Sequence, residues 1–344
     1  MPRSIVRRLG ACAMGAAMLF PVLAACGSEQ SGPDTLVIYS GRHEGLVGGI
    51  LEQLKAATGA AEVEVRYGGS AQLAAQILEE GEGTDADLFY AQDAGALGAL
   101  SAAGRLDKLP QDVLDIVEPR FHAADGTWVA TSARARVIAY DPRQVSEEEL
   151  PSSLDDVVDP NWKGKVGYAP TNGSWQAFVT AVRVLKGEDG AREWLTRFKA
   201  NDPQSYENNI AIRDAVNAGD LELGLINHYY YYRLLDEVGP EGTHVKLHYV
   251  GGGDPLSLIN VAGVGVIEGA DAGDLAAKAA AFLLSEEAQQ YFADETAEYP
   301  VRAGVESTKH DLPELSGIES PDIELTKLES LEQTLKLLQE VGLS

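Results

Sequence analysis

Four tyrosines in a row follow a histidine in Asn227-His228-Tyr229-Tyr230-Tyr231-Tyr232, directly after an apolar stretch, 221–226, that reads as a β-strand. A helix is expected to follow and to end near residue 238, so the run lies at the carboxyl end of a strand, the edge where open α/β sheets bind ligands. An irregular strand-to-helix turn lets neighbouring side chains point to one place, which the alternation of a strand forbids. A phenol titrates near ~10, so it is a poor anion at neutral pH unless a strong cation displaces its proton. A small trivalent cation does so. Carboxylate and phenolate oxygens suit hard ions, whereas soft ions call for thiolates, and two phenolates would leave a trivalent metal with one net positive charge. The same run also suits a core or interface packing element, and the residues alone leave both readings open.

Three more places carry suitable side chains. His43, in Tyr39-Ser40-Gly41-Arg42-His43-Glu44, again ends a strand and precedes a helix, where it serves either as a capping or surface residue or as a ligand on the edge facing the tyrosines. Thr171-Asn172-Gly173-Ser174 follows a strand ending at Ala169 and opens a helix, so its N–H groups and side chains suit an oxyanion as well as a plain N-cap. Ser70-Ala71-Gln72-Leu73, after Gly68-Gly69, repeats that arrangement. Arg134 and Arg136 could neutralise a bound anion or simply pair with acidic side chains.

The elements that must position these residues alternate. Strands are expected at 35–40, 63–67 and 87–90, each leading into a helix, at 44–58, 71–80 and 94–103, which is the rhythm of βαβ units and a mainly parallel sheet. A second series runs from a strand at 165–168 through helices at 175–186 and 191–200 to the strand at 221–226. Between the two series lie 128–140 and, later, 259–267, both extended and rich in β-branched residues. They are the candidate crossover strands, and bending them would close a cleft between two discontinuous α/β domains. The leucine-spaced tail, 325–343, reads as a terminal helix laying its apolar face on a domain.

At the other end, Arg3, Arg7 and Arg8 precede an apolar stretch, 10–25, shorter than the ~20 residues of a membrane span and ending in Leu23-Ala24-Ala25-Cys26. That pattern resembles a bacterial lipobox. It implies a signal peptide over 1–25, a lipid on Cys26, and a polar tether over 26–33 that holds the protein on the outer face of the cell membrane or in the periplasm. Of the 2 cysteines only Cys26 would remain, so no internal disulfide supports the fold. The rest of the chain is long enough to call for two cores, and 45% apolar residues supply them. The net charge of −26 becomes −29 once the three signal arginines are removed, which repels phosphate backbones and argues against nucleic acid. Neither a Gly-Xaa-Ser-Xaa-Gly elbow nor a phosphate-binding Walker pattern occurs, and reversible binding without catalysis is expected.

Several stretches, in order, resemble the ferric-ion-binding periplasmic proteins, also called bacterial transferrins. They are Val37-Ile38-Tyr39-Ser40-Gly41-Arg42-His43, Ser70-Ala71-Gln72-Leu73-Ala74, Ala86-Asp87-Leu88-Phe89-Tyr90 and Arg134-Ala135-Arg136-Val137, then Asn161-Trp162-Lys163-Gly164-Lys165-Val166-Gly167-Tyr168, the tyrosine run, and Ala297-Glu298-Tyr299-Pro300-Val301-Arg302. The resemblance implies a two-lobed type II periplasmic binding protein fold, with 34–133 and 260–306 in one lobe and 134–259 and 307–344 in the other. It further implies Fe(III) held by Tyr229, Tyr230 and His43, and a synergistic phosphate or carbonate around Asn172, Gly173, Ser174 and Asn209. Arg134 and Asn227 would stand behind these ligands. The implied role is that of a monomer that hands iron to an ABC transporter permease.

One position departs from the family pattern. Where a glutamate ligand is expected, after Tyr90-Ala91, this chain has Gln92 followed by Asp93. A neutral amide is a weaker donor to Fe(III), so Gln92 is expected to support the metal or the anion, with Asp93 as the other candidate and with greater dependence on the synergistic anion. Two rival readings stand beside this one. The first is a same-fold binding protein for an organic solute such as a phosphonate, thiamine or a polyamine, the tyrosines then forming an aromatic box. The second is an enzyme whose cleft activates an oxyanion substrate.

Overall fold

The structure, a computed structural model, describes residues 34–344. The signal peptide (1–25), Cys26 and the tether (26–33) expected from the sequence lie outside the described residues.

Nine strands form one sheet: β1 (Thr35–Ser40), β2 (Glu62–Tyr67), β3 (Leu88–Ala91), β4 (Val129–Tyr140), β5 (Val166–Tyr168), β6 (Gln204–Ser205), β7 (Leu223–Asn227), β8 (Lys246–His248) and β9 (Ile259–Val266). Their order is β2-β1-β3-β9-β4-β7-β5-β6, with β8 attached to β4. The helices are α1 (Glu44–Leu51), α2 (Leu54–Thr58), α3 (Ser70–Glu80), α4 (Ala94–Ala102), α5 (Gln111–Leu114), α6 (Gly173–Ala200), α7 (Asn209–Ala218), α8 (Tyr229–Gly242), α9 (Gly273–Leu283), α10 (Glu286–Glu295) and α11 (Leu331–Val341).

The alternating strand and helix signals have their expected consequence. β1 pairs in parallel with β2 and β3, and β5 pairs in parallel with β6 and β7, as βαβ connections require. The two extended stretches singled out as crossovers are the antiparallel pair β4 and β9 at the centre of the sheet. β4 belongs to both halves of the molecule: Val129 to Ala135 pair with β9, and Arg136 to Tyr140 pair with β7. Every one of its 12 residues is buried, which its small and β-branched side chains permit.

Two main cores flank this strand. The first gathers β1, β3, β9 and helices α1, α4 and α9 around Val37, Phe89, Leu97 and Val264. The second is built on a packed aromatic group, Tyr168, Trp175, Phe178, Trp194 and Phe198, with ring centroids 5.0–6.4 Å apart. The described residues, 34–344, nevertheless group as one compact unit.

Three local forms differ from the sequence reading. The helix expected over 44–58 is interrupted at Glu52 and Gln53. The two helices expected over 175–186 and 191–200 run on as α6, joined at a kink where Gly187 takes a positive φ of 73°. The tail is not one helix belonging to the second lobe. Leu325–Glu329 is a 3₁₀ turn whose Leu325 and Leu328 fill the first core, while Leu337 and Leu338 of α11 fill the second. Leucines three apart suit a three-residue turn, and the chain changes course at Ser330, so one apolar pattern serves two surfaces.

Candidate functional site

β7 ends at Asn227, paired with Arg136 at the point where β4 changes partners, and α8 begins two residues later at Tyr229. The turn between them is pinned on both sides. His228 donates its N–H to Ala135 O at 3.1 Å and accepts from Ala135 N–H through Nδ1 at 3.2 Å. Its ring is fully buried and stacks on Tyr299 at 4.4 Å, and burial pulls its pKa down to about 4, so it is a neutral packing group. The sequence reading gave it no role, and an Asn-His pair before a tyrosine run carries no signal of this one.

The helix start divides the four tyrosines. Tyr229 and Tyr230 stand side by side, ring centroids 4.3 Å apart. Tyr232 turns into the core and donates its hydroxyl to Asp311 O at 2.8 Å. Tyr229 is only 4% exposed. Burial pushes its phenol well above the ordinary tyrosine range, Tyr230 adds to the rise, and Arg134 pulls the other way. At neutral pH it is therefore a phenol, and only a strong cation would make it a phenolate.

His43 takes the N-cap of α1, where its Nδ1 accepts from Gly45 N–H at 3.2 Å, and it is exposed. An accepting Nδ1 puts the proton of the neutral ring on Nε2, so binding a metal through Nε2 would require a tautomer change and loss of the cap. The preceding residue is anchored firmly. Arg42 is buried and forks onto Glu298, with Nη1 to Oε1 at 3.0 Å and Nη2 to Oε2 at 2.7 Å, and Ser132 Oγ donates to the same carboxylate at 2.7 Å. Arg42 and Glu298 both lie close enough to Tyr229 to act on its charge. This ion pair links the His43 loop to the seat of the tyrosines, and the sequence reading missed it because its members stand 256 residues apart.

Gln92, Asp93, Arg134, Gly173 and Ser174 line a cavity of about 380 Å³ between the two cores, whereas Asn172, Asn209, Asn227, His43, Tyr229 and Tyr230 are not among its lining residues. On the first side, Gln92 N–H donates to Ser70 Oγ at 2.8 Å and its carbonyl accepts from Arg134 Nη2. Asp93 is the N-cap of α4, its Oδ1 accepting from Ala96 N–H at 3.0 Å, and burial pushes its carboxyl up. One oxygen of Asp93 is thus committed to the helix, while both Gln92 and Asp93 line the cavity. On the second side, Asn172 caps α6, accepting from Ser174 N–H at 2.9 Å and Ser174 Oγ at 2.6 Å, and Gly173 opens the helix on the cavity wall. Asn209, 1% exposed, donates to Ser174 Oγ at 3.0 Å.

Charge and orphaned polar atoms point to an anion. Arg134 lines the cavity with Nε and Nη1 unpartnered. Arg136 lies over Phe178 at 4.9 Å and donates to Leu225 O at 3.0 Å, but no carboxylate touches it, and burial pulls its pKa down to about 9. Asn227 Nδ2, a donor, also lacks a partner. Such buried groups are costly unless a ligand satisfies them. Among the described residues no group of three or more His, Cys, Asp or Glu side chains is gathered for a metal.

A two-lobed α/β molecule with a polar cleft at the junction of two crossover strands is a solute-binding protein of type II architecture. The chain belongs to the bacterial extracellular solute-binding protein family, whose sequence profile matches residues 84–324. It is 35% identical over 310 residues to the major ferric iron-binding protein of Neisseria meningitidis serogroup A, covering 90% of this chain and 93% of that protein. It is 30% identical to the Fe(3+)-binding periplasmic protein of Serratia marcescens, covering 94% and 95%. Among solved structures, iron-bound HitA from Pseudomonas aeruginosa superposes with a TM-score of 0.83 at 37% identity, over 90% of this chain and 99% of that one. A Trichodesmium protein in complex with iron and citrate gives 0.77 at 27% identity, over 90% and 100%.

Proposed function

We propose that this protein captures Fe(III) outside the cytoplasmic membrane, together with a synergistic anion, and delivers it to an ABC-type importer without chemical conversion. The observation that carries the reading is the Tyr229–Tyr230 pair, whose adjacent phenols sit at the carboxyl end of β7 beside Arg134. Iron would displace both phenol protons, which go to solvent, and take the two phenolates as ligands, with His43 as a further donor from the opposite core. A phosphate or carbonate held by Asn172, Gly173, Ser174 and Asn209 would balance the remaining charge. Arg134 and Asn227 would hold the arrangement from behind, and Gln92 would support it as a neutral amide, so retention should depend strongly on the anion. Closure would bring 34–133 and 260–306 against 134–259 by bending β4 and β9. A lipid on Cys26 would keep a monomer near its permease.

Titration of the purified protein with ferric citrate in the presence of phosphate tests this. A visible phenolate-to-iron charge-transfer band is expected, and its loss when phosphate and carbonate are withheld. A colourless mixture would sink the reading.

A further inference from the structure

Two crossover strands are not the whole connection between the cores, because residues 325–334 make a third. The backbone at Thr326 and Leu328 lies directly on α4: a Cβ at Gly98 would stand 2.8 Å from Thr326 O, and one at Gly95 would stand 2.5 Å from Leu328 O. Both are closer than any side chain tolerates, so the two glycines, one helical turn apart, permit the approach. Past Ser330 the segment docks on the other core. Arg183 of α6, only 6% exposed, donates to Ser330 O at 2.8 Å, Ser330 Oγ at 3.2 Å and Thr334 Oγ1 at 2.8 Å, and the Thr180 and Thr334 hydroxyls bond at 2.7 Å. Between these anchors Leu328 and Leu331 line the same cavity as Gln92, Arg134 and Ser174. The two helices joined by the segment, α4 and α6, both bring their N-termini to that cavity, as does α3.

We infer that residues 325–334 are a strap that walls the cleft and governs release of its ligand, with Leu328 and Leu331 as the contact residues. A segment fixed to both cores beside the opening resists their separation, so the cleft opens fully only when an anchor yields. The inference rests on the reading of the cleft as the ligand site. In that case the strap acts on how fast the ligand leaves, not on which atoms hold it.

Gly95→Ala tests this, since its methyl cannot coexist with Leu328 O. Hydrogen exchange over 325–334 should accelerate, and iron release to excess EDTA, followed by the charge-transfer band, should be about tenfold faster with the absorbance maximum unchanged. Faster exchange with unaltered release overturns the proposal, and so does unaltered exchange. Leu328→Ala, which removes wall without crowding α4, serves should the first variant not fold, and unchanged release from it is equally adverse. Absence of any band in the wild type would instead strike the function proposed above. The strap would then be judged by X-ray scattering of the iron-free protein, where Gly95→Ala must enlarge the radius of gyration and an unchanged radius overturns it.

Discussion

Tyr229 and Tyr232 are three positions apart on one helix and have opposite surroundings. Tyr229 has a second phenol ring at 4.3 Å and feels the charges of Arg134 and Glu298. Tyr232 is almost equally buried, at 6%, but its hydroxyl is spent on Asp311 O, and its ring packs on His310 at 5.6 Å. Burial raises both phenols. What separates them is therefore not burial but what acts on the oxygen: the Arg134 cation in one case, a backbone carbonyl in the other.

The comparison breaks if the two tyrosines respond alike to substitution. Tyr229→Phe or Tyr230→Phe should weaken iron binding by more than about a hundredfold and abolish or shift the visible band, whereas Tyr232→Phe should change affinity less than about threefold. Equal losses across the run, measured by competition with a chelator, would contradict it. A smaller effect sharpens the electrostatic side: Arg134→Met should cost about tenfold in iron retention and steepen its dependence on added phosphate. Anion dependence identical to the wild type would remove Arg134 from the account.

On the packing side, Tyr232→Phe should lower unfolding free energy by about 1 kcal/mol through the lost bond to Asp311, read from the denaturant midpoint. The turn that presents Asp311 is held by Asp294, which accepts from Ser307 Oγ, Thr308 N–H and Thr308 Oγ1. Burial pushes Asp294 up, but these bonds and one from Gln290 outweigh it and hold its pKa down to about 2, from 3.8. A depressed carboxylate stabilises above its unfolded pKa, so this contribution should be intact above pH 4 and fade between pH 4 and 2. After solvent screening it amounts to about 1 kcal/mol. Asp294→Asn should flatten the stability profile in that window, and an unaltered slope would remove Asp294 from the packing argument.

Much of the site was legible because of where its residues fall relative to strands. The tyrosine run, His43 and the turn at Asn172, Gly173 and Ser174 each follow a strand and open or precede a helix, and β1 and β7, running in opposite directions in the two halves, point their carboxyl ends toward the junction of β4 and β9. Asp93 was less legible, since a carboxylate after a strand suits both a ligand and an N-cap, and the free N–H groups of α4 claimed it. The tail misled for a related reason: leucine spacing reports an apolar stripe, not the number of surfaces it meets.

Local pattern alone determined the alternation of strands and helices, the two long central strands and the position of the tyrosine run, His43 and the 171–174 turn at element boundaries, because these follow from side-chain periodicity and backbone chemistry over a few residues. Only the tertiary structure decided that the Tyr232 hydroxyl is taken up by Asp311, that Arg42 is matched by Glu298, and that the tail passes from one core to the other. Each of those outcomes depends on contacts between residues far apart in the chain, where burial, charge balance and close approach are set by the partner rather than by neighbours in sequence.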